Sequence, residues 1–289
     1  MTFLVWTKAR YRFVRDLTER GFTRISLALD LETGEHVVVK YTDRDGSPEE
    51  MTRLAQLRLH EAELLRSLPD GRVSSTPRLI DCFEENGRTF LVQEYLEGSV
   101  LHSWQQQRPT IATFFDVYAS LAHALERLHE AGVIYRDLKP RNVLLVEGQP
   151  YLLDFGLSAH AGDDGATGIV GTPIYMSPEM VQGSMPLEGS ADVFALGLML
   201  YEGMTGVLPF DRASDLSSLL TARAALDLSS HVRFPELGLP AHVVHVFQMM
   251  LSITPSSRPS ASEAATALRA AAALARLTLQ STTIPLPVP

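Results

Sequence analysis

An aspartate, a lysine two residues on and an asparagine five residues on, Asp137, Lys139 and Asn142, lie in the stretch YRDLKPRNVLL at residues 135–145. The apolar pair Leu144 and Leu145 closes that loop into a strand. A second short strand, YLLDFG, delivers Asp154 just before a glycine. Carboxylate, ammonium, amide and second carboxylate can therefore converge at one point. Such a set suits movement of a phosphoryl group. One carboxylate takes or orients a hydroxyl proton and the ammonium offsets charge on the group in transit. The amide and the second carboxylate hold Mg²⁺.

These groups need elements to hold them. In RISLALD, Ile25, Leu27 and Leu29 share one face of a strand, as a period of two requires. The turn around Gly34 leads into HVVVKY, where Val38 and Lys40 point to one side and Val37 and Val39 to the other. The segment that follows opens as a helix should, with Ser47 as N-cap, Pro48 in the first turn and Glu50 completing a capping box. Its inward stripe reads Leu54, Leu57, Glu61, Leu64 or Leu65, and Leu68. Glu61 thus stands where the spacing calls for an apolar residue, and a carboxylate there needs a cation. Lys40 is the candidate. Glu63, roughly 200° further round the helix, is expected in solvent.

RLIDCFEE and RTFLVQE read as a hairpin through Asn86-Gly87. In the later helix from Ile111, the residues Phe114, Tyr118, Leu121, Leu125 and Leu128 recur at steps of three and four, and Gly132 ends it. The segment SADVFALGLMLYEGMTG is apolar nearly all round and predicts a buried helix. The tail STTIPLPVP is expected to be flexible or extended, because prolines break its pattern.

The pattern YRDLKPRN, followed by DFG and then by GTPIYMSPE at residues 171–179, resembles the eukaryotic-type Ser/Thr protein kinases over about residues 11–275. The resemblance implies an α+β, bilobal protein-kinase-like fold. A small antiparallel β-sheet lobe with one main helix (1–96, hinge included) would precede a larger, mainly helical lobe (97–279) and a Pro-rich tail (280–289). It implies ATP and Mg²⁺ as cofactors and a protein or peptide as substrate. It casts Asp137 as base or orienting group, Lys139 at the phosphoryl group, and Asn142 and Asp154 as metal ligands. Lys40 and Glu61 become the ion pair over the nucleotide. Ile25, Val38 and Leu144 sandwich the base, Gln93 is the gatekeeper, and Glu94 to Leu96 the hinge that bonds the adenine edge. Asp192 would brace the catalytic loop, and Glu179 with Arg258 would form an ion pair of the large lobe. Lys139 and Thr172 point to serine/threonine rather than tyrosine as acceptor.

One departure concerns the glycine-rich loop. Its three expected glycines are Thr18, Arg20 and Thr23, with Gly21 between them. Glycines there let backbone N–H groups approach phosphates without an intervening Cβ. Two readings of Arg20 stand, an exposed hairpin-tip residue or a guanidinium on the phosphates. Because the matched residues from 137 to 154 are all retained, an active enzyme is expected rather than a pseudokinase scaffold. Thr167, read with Arg136, is either a phosphorylated regulatory residue or a threonine of a mobile loop. Arg141 and Val100 stand where basophilic members carry acids, which implies neutral or acidic substrate flanks. The segments TGEHVVVKYT and EEMTRLAQLRLHEAELLRSL also resemble the kinase-like domain of class III and IV lanthipeptide synthetases, which would make the substrate a precursor peptide. Small-molecule kinases of the aminoglycoside type rank last, since they lack GTPIYMSPE and Arg258.

Composition bounds the remaining classes. The 289 residues are 45% hydrophobic, enough for a sizeable core, and the net charge of −9 argues against nucleic acid as partner. The lone Cys82 excludes an internal disulfide and reads as a buried small hydrophobe. The longest apolar run, VFALGLMLY, is nine residues, well short of the roughly 20 a spanning helix needs, and no signal peptide is expected from the short apolar run of MTFLVWTKAR. A cytoplasmic protein is expected. His242 and His245 form an HxxH without a third ligand and read as a helix face. The basic run from Lys8 to Arg24, interleaved with Asp16 and Glu19, reads as a solvated hairpin face.

Overall fold

Alternating apolar residues build a sheet at the N-terminal end of the chain. The computed structural model describes residues 5–6, 10–20, 23–42, 47–68, 75–162, 173–183, 187–209, 216–225, 227–234, 237–278 and 282–284. The chain divides into two compact units, one of Met1–Pro69 with Thr76–Glu97, the other of Asp70–Ser75 with Gly98–Pro289.

In the first unit the strands are β1 (Val5–Trp6), β2 (Tyr11–Arg20), β3 (Thr23–Asp30) and β4 (His36–Thr42), followed by helix α1 (Pro48–Ser67), β5 (Leu79–Glu85) and β6 (Arg88–Glu94). They pair antiparallel in the order β1-β2-β3-β4-β6-β5. Val37 and Val39 are fully covered, as are Tyr11, Ala28 and Val92 on the same core. Tyr11 of β2 stacks on Phe83 of β5 at 6.0 Å and donates its hydroxyl to Asp81 at 3.3 Å, so strands far apart in the order meet. Only a strongly twisted sheet curls far enough to permit this. The β5–β6 turn is Asn86-Gly87, with φ of 50° and 70°, the left-handed pair a two-residue hairpin demands. Helix α1 has the expected N-cap, with Ser47 Oγ accepting from the Glu50 N–H at 3.3 Å, while the carboxylate that accepts from the Ser47 hydroxyl is that of Glu49 rather than Glu50. Glu61, Ala62, Leu64 and Leu65 are buried, and Glu63 is exposed.

The second unit begins with β7 (Ser99–Val100), α2 (Leu101–Gln106) and α3 (Ile111–Glu130), then β8 (Val133–Ile134), β9 (Val143–Val146), β10 (Gln149–Leu152) and β11 (Ala159–His160). Helices α4 (Pro178–Gln182), α5 (Ser190–Thr205), α6 (Leu216–Ala225), α7 (Leu228–His231), α8 (Ala241–Met249) and α9 (Ala261–Thr278) follow. All six stripe residues of α3, from Ile111 to Leu128, are buried, and the helix packs along the alanine-rich α9. Small side chains on α9 permit that close approach. Every residue of α5 from 191 to 200 is buried, as its uniform apolarity predicts. No helix among the described residues is long and apolar enough to cross a membrane.

Residues 282–284 are extended, one of the two forms expected of the tail: Thr283 bridges antiparallel to Thr110, Ile284 is fully buried, its N–H donates to the Pro109 carbonyl at 3.1 Å, and the Thr282 carbonyl accepts from Ile111 N–H at 2.8 Å. The first N–H groups of a helix have no partner within it, so an extended strand ending in an apolar side chain is a good cap for α3. Cys82 is half-buried rather than buried, and partial burial pushes its thiol pKa up.

Candidate active site

The loop that carries Asp137 is strained and braced. Arg136 has φ of 67°, and Asp137 N–H donates across it to the Tyr135 carbonyl at 2.9 Å, a tight three-residue turn. A non-glycine residue in that region costs about 1–3 kcal/mol and persists only when its surroundings over-determine it. The brace is Asp192, at the start of α5 and 1% exposed. Its carboxylate accepts from both Tyr135 N–H and Arg136 N–H at 2.8 Å, and His129 Nε2 lies 2.9 Å from it. Asp192 therefore does what the resemblance implies; the His129 contact was not foreseen.

Three polar side chains then meet within the loop. Asp137 Oδ2 accepts from Lys139 Nζ at 2.6 Å and from Asn142 Nδ2 at 2.8 Å. Asn142 Nδ2 also donates to the Asp137 carbonyl at 3.0 Å. Asp137 is 7% and Asn142 2% exposed, so these charge-assisted bonds are strong for their type and fix the carboxylate's orientation. With both amide hydrogens committed to Asp137, Asn142 has only its oxygen to offer a cation.

Asp154 is attached to the same loop through the β9–β10 hairpin. Val143 pairs with Leu152, and Leu153 N–H donates to the Asn142 carbonyl at 3.0 Å. The fully buried Tyr135 adds a second tie. Its hydroxyl accepts from Asp154 N–H at 3.3 Å and lies 3.5 Å from the Asn142 carbonyl, while its ring meets Phe155 edge-on at 5.2 Å. Sequence reasoning passed over that hydroxyl. Asp154 is half-buried, and its Oδ1 accepts from Gly156 N–H at 3.3 Å. A carboxylate and an amide oxygen are hard donors that suit Mg²⁺. The donor set fits the cation that the motif implies.

In the first unit, Lys40 Nζ meets Glu61 Oε1 at 2.6 Å, with the two side chains 10% and 4% exposed. Ile25 pairs with Lys40 and Val38 with Gln93, which puts Ile25, Val38, Lys40 and Gln93 on one face of the sheet. Gln93 is 2% exposed. Glu94 ties back to Arg78: its N–H donates to the Arg78 carbonyl at 3.0 Å and its Oε1 accepts from Arg78 N–H at 2.8 Å. Leu96 is half-buried in this unit, and Leu144 half-buried on β9 of the second.

Elsewhere, Arg258 and Glu179 form a two-pronged pair at 2.6 and 2.7 Å, beneath which the guanidinium lies over the Phe194 ring at 4.8 Å. Arg141 is exposed and Val100 half-buried. His242 and His245 are exposed on α8, and no metal-binding cluster of three or more His, Cys, Asp or Glu is found among the described residues. Thr167, Gly171, Thr172, Gly21, Phe22 and the Arg20 side chain lie outside the described residues.

A family model described as protein kinase domain matches residues 11–268. The serine/threonine-protein kinase pkn2 of Myxococcus xanthus is 29% identical over 274 residues, 91% of this chain and 32% of that protein. Serine/threonine-protein kinase Pkn1 of the same organism is 32% identical over 213 residues, 70% of this chain and 29% of that protein. Maternal embryonic leucine zipper kinase of Xenopus tropicalis is 32% identical over 197 residues, 66% of this chain and 29% of that protein. The chain thus spans about a third or less of the length of these relatives. A family match over most of the chain accompanies a braced Asp137 loop and a buried Lys40–Glu61 pair, and the chain belongs to the protein kinase family.

Proposed function

We propose that this chain transfers the γ-phosphoryl group of ATP to a serine or threonine hydroxyl of a protein or peptide. The observation that carries the reading is the Asp137 carboxylate, held by Lys139 at 2.6 Å and Asn142 at 2.8 Å on a loop kept in strain by Asp192. A carboxylate so fixed can orient an incoming hydroxyl and take its proton, while the Lys139 ammonium offsets charge on the phosphoryl group. Asn142, through its amide oxygen, and Asp154, through its carboxylate, would hold Mg²⁺. The cation, when bound, neutralises phosphate charge and orients the β- and γ-oxygens.

Lys40, kept in place by Glu61, would contact the nucleotide phosphates. Ile25, Val38 and Leu144 would flank the base, and the backbone of Glu94 to Leu96 would bond its edge. The relatives named as serine/threonine-protein kinases support the choice of acceptor.

The test incubates the protein with Mg-ATP and a Ser/Thr-containing peptide library, then maps phosphate by mass spectrometry. Phosphate on serine or threonine of the peptides or of the chain itself is expected. Phosphate confined to tyrosine, or on no residue at all, would overturn the proposal.

A further inference from the structure

Three residues before Glu61 on α1 stands Arg58, a residue type that seldom lies inside a protein, yet it is 5% exposed. Its Nη1 donates to Thr42 Oγ1 at 2.6 Å and to the Leu54 carbonyl at 2.9 Å, and its Nη2 donates to Thr23 Oγ1 at 3.2 Å. Thr23 and Thr42 face one another across β3 and β4. The neighbouring pair on the same strands and the same face is Ile25 and Lys40.

Helix α1 is therefore fastened to strand β4 at two successive points, Arg58 to Thr42 and Glu61 to Lys40. The spacing matches: three helical residues rise about 4.5 Å and turn about 300°, and two strand residues advance about 6.6 Å, so both side chains leave one side of the helix toward one side of the strand. A helix held at a single point can swing about it. Held at two, it can neither roll nor slide without breaking both contacts. The Arg58 fastening also uses Thr23, which stands where a glycine of the phosphate loop was expected, so the hydroxyl that replaces a glycine is put to use.

We propose that Arg58 is a positioning residue that keeps the Lys40–Glu61 pair formed, acting through the orientation of α1 and through the Thr23 and Thr42 hydroxyls. The proposal rests on the reading above that Lys40 serves the nucleotide. It makes this helix self-locking, and it assigns a role to the threonine at the start of β3.

The experiment compares the parent, Thr42→Val, Arg58→Met and Arg58→Lys, each alone and combined with Glu61→Gln. Thr42→Val is nearly isosteric and leaves the chain able to fold even if Arg58→Met does not. Two quantities are read: KM and kcat with Mg-ATP, and backbone hydrogen exchange across residues 47–68. Expected is a rise in KM for ATP of about tenfold in Thr42→Val and Arg58→Met, with a smaller change in kcat. Arg58→Lys, which keeps one donor for Thr42, should recover part of it. Within Glu61→Gln the same changes should add less than twofold, since Arg58 acts through that pair. Faster exchange over α1 should accompany each loss, and it reads the fastening even in a protein that turns nothing over. Losses that simply multiply with Glu61→Gln, or α1 exchange equal to the parent's in both Thr42→Val and Arg58→Met, would overturn the proposal. Absent turnover with α1 exchange behaving as expected would instead count against the function proposed above.

Discussion

Asp137→Asn is expected to lower kcat by about 10²–10⁴-fold, the range associated with a positioned proton acceptor, while KM for ATP changes only a few-fold. The substitution keeps shape and volume but removes the negative charge that Lys139 and Asn142 bracket at 2.6 and 2.8 Å. At 1.36 kcal/mol per decade the loss corresponds to about 3–5 kcal/mol of transition-state stabilisation. Steady-state kinetics on the purified variant, with an unfolding curve matching the parent's, provide the check. A kcat within threefold of the parent would remove Asp137 from the reaction.

Glu179→Ala is expected to cost about 3–5 kcal/mol of stability, because it strands a buried guanidinium. The Arg258 side chain is 0% and that of Glu179 12% exposed. Arg258 would keep its bonds to the Ser252 and Ser190 carbonyls, both at 2.9 Å, but these carry no compensating charge. With total stabilities of about 5–15 kcal/mol, a loss of this size brings a domain close to unfolding. The effect reaches function as well, since Ser190 opens α5 and Asp192, two residues on, holds the catalytic loop. Urea unfolding of parent and variant measures it; midpoints that coincide would show that the pair is not needed for stability.

What could be read from the sequence was local or periodic. Asp137, Lys139 and Asn142 lie within six residues of each other, so their spacing alone constrained how they meet. Glu61 betrayed itself by breaking an apolar stripe, and Asn86-Gly87 by its backbone preference. Asp192 was legible only through the family resemblance, because nothing in its own neighbourhood says that a loop 56 residues earlier donates to it. Arg58 was missed for a related reason. On a helix of mixed polarity it looks like any solvated arginine, and its burial depends on hydroxyls 16 and 35 residues away. Ile284 sat among prolines in a stretch without periodicity, and only the open end of α3 explains why it docks. Tyr135 gave no signal of its role, since the tie it makes to Asp154 spans a loop and a hairpin.

The central claim is that Asp137, Asn142 and Asp154 serve phosphoryl transfer from ATP. Its most direct test is the rate of ADP formation from Mg-ATP by the parent and by Asp154→Ala, measured side by side with a phosphoacceptor present. The account predicts steady turnover by the parent and a rate lower by about 10³-fold or more in the variant, several kcal/mol of lost charge stabilisation. Equal rates in the two proteins, whether both brisk or both at the level of buffer, would contradict it.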